Sequence, residues 1–246
     1  MQVVCHKGAN QYAPENTYAS TQLAIEMGAD YVEIDVSQSA DGVFYVFHGP
    51  ELSRTTDAKL HTSATLFSEL TSSEIDKLDA GSWFGVKYTQ EKVPRLIPFL
   101  TWIRGRAKVY LDIKSGTPEQ IRDILYETKM ETQCFLWSRD DTWARSLREL
   151  DQNLLLKVNV QTPEDVRNAH AIYAANIVET RLEHMTPALQ EACKQLHIKL
   201  MVFEPSNNPE RVRAILSSGH WPDMINLDFM DVFLQVVKEI ASLKFC

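Results

Sequence analysis

Residues 109–137 read VYLDIKSGTPEQIRDILYETKMETQCFLW. The stretch begins and ends with short apolar runs, at 109–113 and 134–137, which are typical of buried strands. Between them, Thr117 can cap the free N–H groups of a helix and Pro118 suits its first position, while Gln120 supplies a reciprocal cap. The stretch therefore predicts a strand, a capped helix and a second, parallel strand.

The same unit recurs on both sides of this stretch. Further short apolar runs predict strands at 3–5, 31–36, 154–158, 177–178, 200–203 and 224–227. Helix starts are predicted at Thr162-Pro163, Thr186-Pro187 and Asn208-Pro209, at Ser138 with Asp141, and at Asn16, whose helix spans 17–27 and ends at Gly28. Eight strands that alternate with helices predict an α/β fold, a TIM-type (β/α)8 barrel.

A β-hairpin follows the second predicted strand. The sequence Ala40-Asp41-Gly42-Val43 is a strong turn signal, and an apolar run at 43–47 comes directly after it. A two-residue turn at Asp41-Gly42 would place Asp35 opposite His48. We therefore predict one extra strand, antiparallel to the second barrel strand.

Residues 48–109 show little strand periodicity and are too long for an ordinary loop between a strand and a helix. They contain a capping box at Thr71 and Glu74, and the glycine-flanked aromatic pair Trp83 and Phe84. We predict a small insertion subdomain at about 50–105 within a single domain of 1–246. It would lie over the C-terminal mouth of the barrel, with the aromatic pair in its core.

The charge balance excludes several classes of partner. The 246 residues include 25 Lys and Arg against 33 Asp and Glu, a net charge of −8, and no basic run that would suit nucleic acid. No apolar run approaches the ~18 residues of a membrane span, and no signal peptide is recognisable. Cys5, Cys134, Cys193 and Cys246 are scattered, which predicts free thiols. We expect a soluble, cytoplasmic protein, with its oligomeric state open and a homo-oligomer among the alternatives.

Charged side chains follow or interrupt three of the predicted strands. His6 follows the first strand, Glu33 and Asp35 share one face of the second, and Asp112 and Lys114 share a face of the third. Anions that point into a barrel need a partner or a metal ion. Three carboxylates without a thiol suit a hard divalent cation, Mg²⁺ or Ca²⁺.

Such a cluster predicts phosphate chemistry. The cation would neutralise a phosphoryl oxygen, while Lys114 and Lys7 would offset the remaining negative charge. His6 and His48 would exchange protons with the attacking and leaving oxygens. His61, His170, His184, His197 and His220 have no such neighbours in the sequence and are predicted to lie at the surface.

An ordered series of motifs resembles the glycerophosphodiester phosphodiesterase family. The motifs are His6-Lys7-Gly8, Pro14-Glu15-Asn16-Thr17, Gly28-Ala29-Asp30, Glu33-Ile34-Asp35-Val36, Asp41-Gly42, His48-Gly49, Arg54-Thr55-Thr56 and Asp112-Ile113-Lys114. They fill the first half of the chain. The second half is similar in its strand and helix rhythm and in Ile225-Asn226-Leu227-Asp228.

The resemblance implies a role for each matching residue. His6 and His48 would be the acid and base, Glu33, Asp35 and Asp112 the metal ligands, and Lys7, Lys114 and Glu15 the contacts to phosphate and substrate. The substrate would be a small glycerophosphodiester, and the products glycerol 3-phosphate and an alcohol. By analogy with related barrel phosphodiesterases, His6 would be the base towards the glycerol 2-hydroxyl and His48 the acid. The exchanged roles remain open.

Three positions depart from the family pattern. Lys7 replaces an arginine and so loses a bidentate fork. Gly49 replaces a carboxylate after the second histidine, and Asp112 is one methylene shorter than the usual glutamate.

Two rival functions stay open. A sphingomyelinase D-like phospholipase or lyase is similar in barrel, histidines and carboxylates, but the insertion after His48 and the absence of a signal peptide and disulfides argue against it. A non-catalytic relative that binds phosphodiesters would have lost a histidine or a metal carboxylate, and this sequence retains them.

Overall fold

Eight parallel strands close into a barrel in a computed structural model that describes residues 1–217 and 221–243. The strands within these residues are β1 (Gln2–Cys5), β2 (Tyr31–Gln38), β3 (Phe44–Val46), β4 (Lys108–Ile113), β5 (Cys134–Ser138), β6 (Leu155–Asn159), β7 (Ile177–Arg181), β8 (Lys199–Glu204) and β9 (Met224–Leu227). β1 pairs with both β2 and β9, which closes the ring, while β3 lies outside it. The predicted (β/α)8 barrel is confirmed.

The helices surround the barrel, and most begin where the sequence predicts. They are α1 (Tyr18–Glu26), α2 (Ser72–Ile75), α3 (Leu96–Ile103), α4 (Pro118–Thr128), α5 (Asp141–Leu150), α6 (Pro163–Tyr173), α7 (Pro187–Gln195), α8 (Pro209–Ser217) and α9 (Met230–Leu243). The threonines before α4, α6 and α7 each accept a hydrogen bond from a backbone N–H in the first turn. A capping threonine followed by proline therefore predicts these starts correctly.

Two of the predicted caps are wrong. Thr17, rather than Asn16, caps α1 by accepting from the backbone N–H of Ser20. Asn16 has a left-handed backbone with φ of 58°, and its side chain is hydrogen-bonded to Asp35 instead. Asp140, rather than Ser138, caps α5, because the strand before it extends through Ser138.

Alternation along the strands divides the core into two layers. Inside the barrel, Val4, Tyr31, Tyr110, Phe135, Ile177, Met201 and Met224 pack together, whereas a larger cluster lies between the barrel and its helices. Cys5, Cys134 and Cys193 are buried free thiols, as predicted. The predicted thiol of Cys246 lies outside the described residues.

The hairpin runs in the predicted direction with a different register. β3 is antiparallel to β2, but Val36 pairs with Val46, and the N–H of Phe47 donates to the carbonyl of Asp35. Asp35 therefore faces Phe47, and the predicted pairing of Asp35 with His48 is off by one residue. The reason is a loop of three residues rather than two, which ends with a left-handed Gly42 at φ of 85°.

The segment after β3 has a core of its own. Between residues 47 and 95 the chain forms short turns of 3₁₀-helix and α2, around a buried cluster that extends from Tyr45 to Val93. The side chains of α3 belong to the main core instead. Trp83 is 44% exposed and lies outside this cluster, contrary to its predicted place in the core. The insertion subdomain itself stays a prediction.

The described helices include none with the length and hydropathy needed to cross a membrane. The cytoplasmic location stays a prediction.

Candidate active site

A ring of mostly polar side chains lies one layer above the apolar interior of the barrel. Each member follows a barrel strand's interior position by two residues, so that all face the C-terminal mouth. The ring consists of His6, Glu33, Asp112, Trp137, Lys157, Glu179, Phe203 and Asn226, which line a cavity of about 590 Å³. This is the end of a barrel at which catalytic residues converge.

A second cavity, of about 650 Å³, adjoins the first on the side of the hairpin. It is lined by His48 and shares Asp112, Lys114, Trp137 and Arg139 with the first cavity. We call the two together the cleft, with a barrel half that contains His6 and a hairpin half that contains His48. The two histidines thus line different halves of the cleft, which share the four residues of its floor.

Glu33, Asp35 and Asp112 come together at this floor. Each offers a carboxylate oxygen within 4.8 Å of those of the other two, and all three are buried. Parallel pairing of β2 and β4 places Asp35 directly beside Asp112, and alternation keeps Glu33 on the same face. The sequence predicted this cluster correctly.

Lys114 supplies part of the counter-charge of the cluster. Its Nζ lies 3.0 Å from Asp35 Oδ1 and 2.6 Å from Asp112 Oδ2. Asn16 Nδ2 donates to Asp35 Oδ2 at 2.8 Å, and the backbone N–H of Lys7 donates to Glu33 Oε2 at 2.7 Å. One ammonium group therefore serves two of three buried carboxylates.

The pKa values show how incomplete this compensation is. Burial and the charge of Asp35 raise the pKa of Glu33 to about 8 and that of Asp112 to about 6. Burial acts in the same direction on Asp35, but the charges of Lys114, Lys7 and His48 and the hydrogen bond from Asn16 together outweigh it and hold the pKa of Asp35 below its usual value. The cluster carries more negative charge than its neighbours neutralise.

A divalent cation fits this donor set. Asp112 Oδ1 is buried and has no hydrogen-bond partner within residues 1–217 and 221–243. Carboxylate oxygens from three side chains match the preference of Mg²⁺ and Ca²⁺, and an orphaned buried oxygen indicates a ligand beyond the protein. The charge and the chemistry of the site both suit such an ion.

His6 is held by an acidic partner from the other end of the chain. Its Nδ1 is 2.7 Å from Asp228 Oδ1, which also accepts from Asn10 Nδ2 at 2.7 Å. Burial alone would lower the pKa of His6, but the charge of Glu33 and the bond to Asp228 outweigh it and raise that pKa to about 9. Without a bound cation, these two carboxylates therefore favour the protonated form of His6.

His48 has the opposite electrostatic environment. Burial lowers its pKa, and the charges of Lys7, Lys114 and Arg54 lower it further against the attraction of Asp35. Its Nδ1 is buried and makes no hydrogen bond to the described residues. His48 is therefore neutral at pH 7, with a nitrogen free to accept a proton.

Comparison with known proteins gives the family. Residues 6–222 match the profile of the glycerophosphoryl diester phosphodiesterase family, which is most of the chain. The chain belongs to this family. The predicted family and the predicted class of enzyme, a phosphodiesterase, are confirmed.

Individual relatives are similar over nearly their whole length. A glycerophosphodiester phosphodiesterase of Caldanaerobacter subterraneus subsp. tengcongensis is 27% identical over 234 residues, which cover 87% of this chain and 89% of that protein. The crystal structure of a glycerophosphodiester phosphodiesterase from Agrobacterium tumefaciens is 33% identical, with a TM-score of 0.86, and the match covers 95% of this chain and 98% of that one.

A third relative was solved with a ligand. The structure of a phosphodiesterase from Oleispira antarctica, in complex with the product sn-glycerol-3-phosphate, has a TM-score of 0.83 and 25% identity. The match covers 97% of each chain.

The structure places each departure from the family motifs in the cleft or beside it. A Cβ added at Gly49 would meet Ser37 Oγ at 3.5 Å, which is an ordinary contact, so the backbone there leaves room for a Cβ. The Asp112 carboxylate, although shorter than glutamate, reaches Lys114. Lys7 Nζ points to Glu15, at 3.5 Å from Oε1.

Glu15 forms ion pairs with two cations, Lys7 and Arg54. Arg54 Nη1 and Nη2 donate to its two oxygens at 2.9 and 2.5 Å, and the pKa of Glu15 is lowered because these contacts and Lys7 outweigh its burial. Arg54 is thus oriented by a bidentate carboxylate pair. The substrate contact of Glu15 stays a prediction, and Arg54, which the sequence analysis placed in a family motif without a role, is a further cation near His48.

The loop between His6 and α1 depends on Gly8. Its φ is 75°, and an added Cβ would lie 2.8 Å from the backbone carbonyl carbon of Ser20. We expect Gly8→Ala to lower the free energy of unfolding by about 2 kcal/mol or more, since the left-handed backbone costs about 1–2 kcal/mol before any clash. Gly28→Ala is the matched control, because Gly28 has φ of 91° and open space around it. Equal losses in urea unfolding would show that the contact with Ser20 has no effect.

A second charged pair, missed in the sequence, lies across the barrel half of the cleft. Lys157 is buried, and its Nζ donates to Glu179 Oε2 at 2.5 Å and to Asn159 Oδ1 at 2.7 Å. Asn226 Nδ2 donates to Glu179 Oε1 at 3.1 Å. A lysine inside an otherwise apolar strand was the available signal, because a buried cation needs an acidic partner.

The predicted surface histidines divide into three groups. His61, His170 and His197 are exposed, as predicted. His184 is partly buried and lines the barrel half of the cleft, so its prediction as a mere surface residue is wrong. It is brought there by the turn after β7. His220 lies outside the described residues.

Proposed function

We propose that this enzyme hydrolyses glycerophosphodiesters to glycerol 3-phosphate and an alcohol, with a divalent cation bound by Glu33, Asp35 and Asp112. The observation that carries the proposal is the buried acidic cluster on the cleft floor, with a histidine in each half of the cleft. The relative solved with sn-glycerol-3-phosphate supports the same product here. Mg²⁺ and Ca²⁺ are both compatible with the donor set.

The cation, when bound, supplies Lewis-acid stabilisation of the phosphoryl oxygens. Lys7, Lys114 and Arg54 hold the phosphate from the sides, since the charges of all three act on His48 at the hairpin half of the cleft. Glu15 positions Arg54 and Lys7 through its two oxygens.

The two histidines divide the proton transfers. Neutral His48 takes the proton from the glycerol 2-hydroxyl as its oxygen attacks phosphorus, and protonated His6 gives its proton to the oxygen of the departing alcohol, which leaves a cyclic phosphate. In a second step His6, now neutral, takes a proton from water as the water oxygen attacks phosphorus, and His48 returns its proton to the 2-oxygen, so that the ring opens to glycerol 3-phosphate and both histidines regain their first state. The alkoxide of an aliphatic alcohol is a poor leaving group, which is why the proton from His6 matters. This assignment reverses the one favoured by analogy, and the opposite pKa shifts of the two rings support it.

A product assay tests the function. The purified protein should release glycerol 3-phosphate from at least one member of a panel of glycerophosphodiesters in the presence of Mg²⁺, Ca²⁺ or Mn²⁺, measured by ³¹P NMR. A cyclic phosphate as the final product would favour the lyase instead. Binding of the diesters without turnover under any of these conditions would favour the non-catalytic relative.

The pH dependence of kcat/KM should show the effect of Asp228 on the pKa of His6. Activity requires protonated His6 and neutral His48, so kcat/KM should fall as pH rises through the pKa of His6 and also as pH falls through the lowered pKa of His48. Asp228→Asn removes one of the two carboxylate charges that raise the pKa of His6, and the alkaline limb should move down by about one pH unit or more. Asp231→Asn, whose carboxylate accepts from Tyr12 instead, is the control and should leave the profile unchanged. An unmoved limb in Asp228→Asn would contradict the role of His6 as acid.

A further inference from the structure

We infer that the cleft selects against alcohol headgroups that carry a positive charge, such as choline, and favours uncharged polyols, with Arg181 as a specificity-determining residue. The inference rests on the proposed function, since it concerns the alcohol that this reaction would release. It is based on the contacts that the aromatic rings, carboxylates and arginines of the cleft already make within the protein.

Recognition of a quaternary ammonium group depends on free aromatic faces. In the barrel half, Lys157 Nζ lies 4.4 Å from the ring centroid of Trp137 and 5.1 Å from that of Tyr110. Lys114 lies 5.6 Å from the ring of Trp137, and Arg181 lies 5.4 Å from the ring of Phe203. The cations of the protein itself therefore already contact the rings that would attract a ligand cation.

The other aromatic rings of the cleft are stacked on neighbouring rings of the protein. Tyr110 stacks on Phe135 with ring centroids 4.6 Å apart. In the hairpin half, Phe67 is buried and stacks on Phe47 at 4.5 Å. Among the described residues that line the cleft, every benzene or indole ring thus contacts a protein cation or another ring.

The carboxylates that line the cleft outside the acidic cluster likewise have hydrogen-bond partners within the protein. Glu179 accepts from Lys157 and Asn226. Asp165 accepts from the backbone N–H groups of Gln161 and Thr162, and Asp140 caps α5. The last two charges lie at the positive N-terminal ends of helices, which offsets them. Outside the acidic cluster, which the divalent cation would occupy, a ligand cation would therefore find no carboxylate without a partner among the described residues that line the cleft.

Two arginines of the cleft are not neutralised by a carboxylate. Arg139 and Arg181 line the cleft, and neither forms an ion pair with the described residues, since Glu183, two residues from Arg181, is paired with Arg211. Their guanidinium groups are donors without acceptor capacity, so they repel an ammonium group and bind hydroxyl or phosphate oxygens. These two guanidinium groups therefore favour a headgroup that is rich in oxygen atoms.

The wild-type enzyme tests the charge preference directly. Glycerophosphocholine is compared with the 3,3-dimethylbutyl ester of glycerol 3-phosphate, which has the same shape with carbon in place of the charged nitrogen. We expect kcat/KM to be at least about tenfold higher for the neutral ester, with glycerophosphoglycerol a better substrate than the choline ester. An equal or better rate on glycerophosphocholine would overturn the inference.

A variant assigns the effect to Arg181, which is exposed and whose loss is tolerable for folding. In Arg181→Gln, the choline-to-neutral ratio of kcat/KM should rise about three- to thirty-fold, because the face of Phe203 becomes available. Arg145→Gln is the matched control, since Arg145 is also exposed and lies 5.2 Å from the ring of Tyr173 outside the cleft.

The control should leave the ratio unchanged. A ratio that stays constant in Arg181→Gln, or that rises equally in both variants, would remove Arg181 from specificity. Absence of hydrolysis of all three esters would instead overturn the proposed function, and with it the inference that rests on it.

Discussion

His6→Ala and His48→Ala are each expected to lower kcat/KM on a glycerophosphodiester by about 10²- to 10⁴-fold, because each removes one of the two proton transfers. The variants should differ on an aryl ester, whose phenolate leaves without protonation. His6→Ala should recover much of its loss there, whereas His48→Ala should not, since the attacking hydroxyl still needs a base. Steady-state kinetics on both substrates measure the difference.

His170→Ala is the control, because His170 is exposed and lies away from the cleft. It should retain wild-type activity on both substrates. Recovery by His48→Ala in place of His6→Ala would restore the assignment made by analogy. Equal losses by both variants on both esters would contradict a division of roles, and wild-type activity in either would exclude that histidine.

The fold was predictable because its signals are local. Each helix start that combines Thr117, Thr162 or Thr186 with a following proline can be recognised within four residues, and the short apolar strands lie between such starts. The acidic cluster was predictable for a related reason. Alternation fixes Glu33 and Asp35 on one face, and neighbouring parallel strands align Asp35 with Asp112.

The remaining errors lie where the outcome depends on contacts across the chain. Asn16 is a good helix cap in isolation, but its bond to Asp35 takes the side chain elsewhere. The hairpin register depended on the loop length, and Asp41 accepts from Ser72 N and Oγ, a contact with α2 that no local pattern contains. One extra loop residue was enough to shift the pairing.

Asp228 is the clearest example of a contact that the sequence alone could not predict. It is separated from His6 by 222 residues along the chain, and neither residue predicts the other by spacing. Closure of the barrel makes β1 and β9 neighbours, so that the residues after both strands meet. An acidic residue at the end of the last strand was the available signal, once closure was assumed.

Removal of divalent cations should abolish activity, and their return should restore it. Asp112→Asn should lower both cation affinity and kcat/KM by more than about 100-fold, because it removes one charged ligand from three. Asp112→Glu, which gives the residue that the family usually has, should retain both. Isothermal titration calorimetry with Mg²⁺ and Ca²⁺ measures the affinity apart from catalysis, and full activity after exhaustive chelation would contradict the metal site.

The same site predicts how cations change stability with pH. Without a bound cation, Glu33 has a pKa raised to about 8 and Asp112 a pKa raised to about 6, so both favour the folded state less as pH rises through these values. A cation that binds the ionised carboxylates offsets this loss, and binding below pH 8 must release a proton.

At a cation concentration 100-fold above its Kd, the stabilisation is about 2.7 kcal/mol. We therefore expect Tm to rise by about 5–10 °C in Mg²⁺ or Ca²⁺, and by more at pH 8 than at pH 6. A gain in Tm that is independent of pH, or that persists in Asp112→Asn, would place the cation elsewhere on the protein.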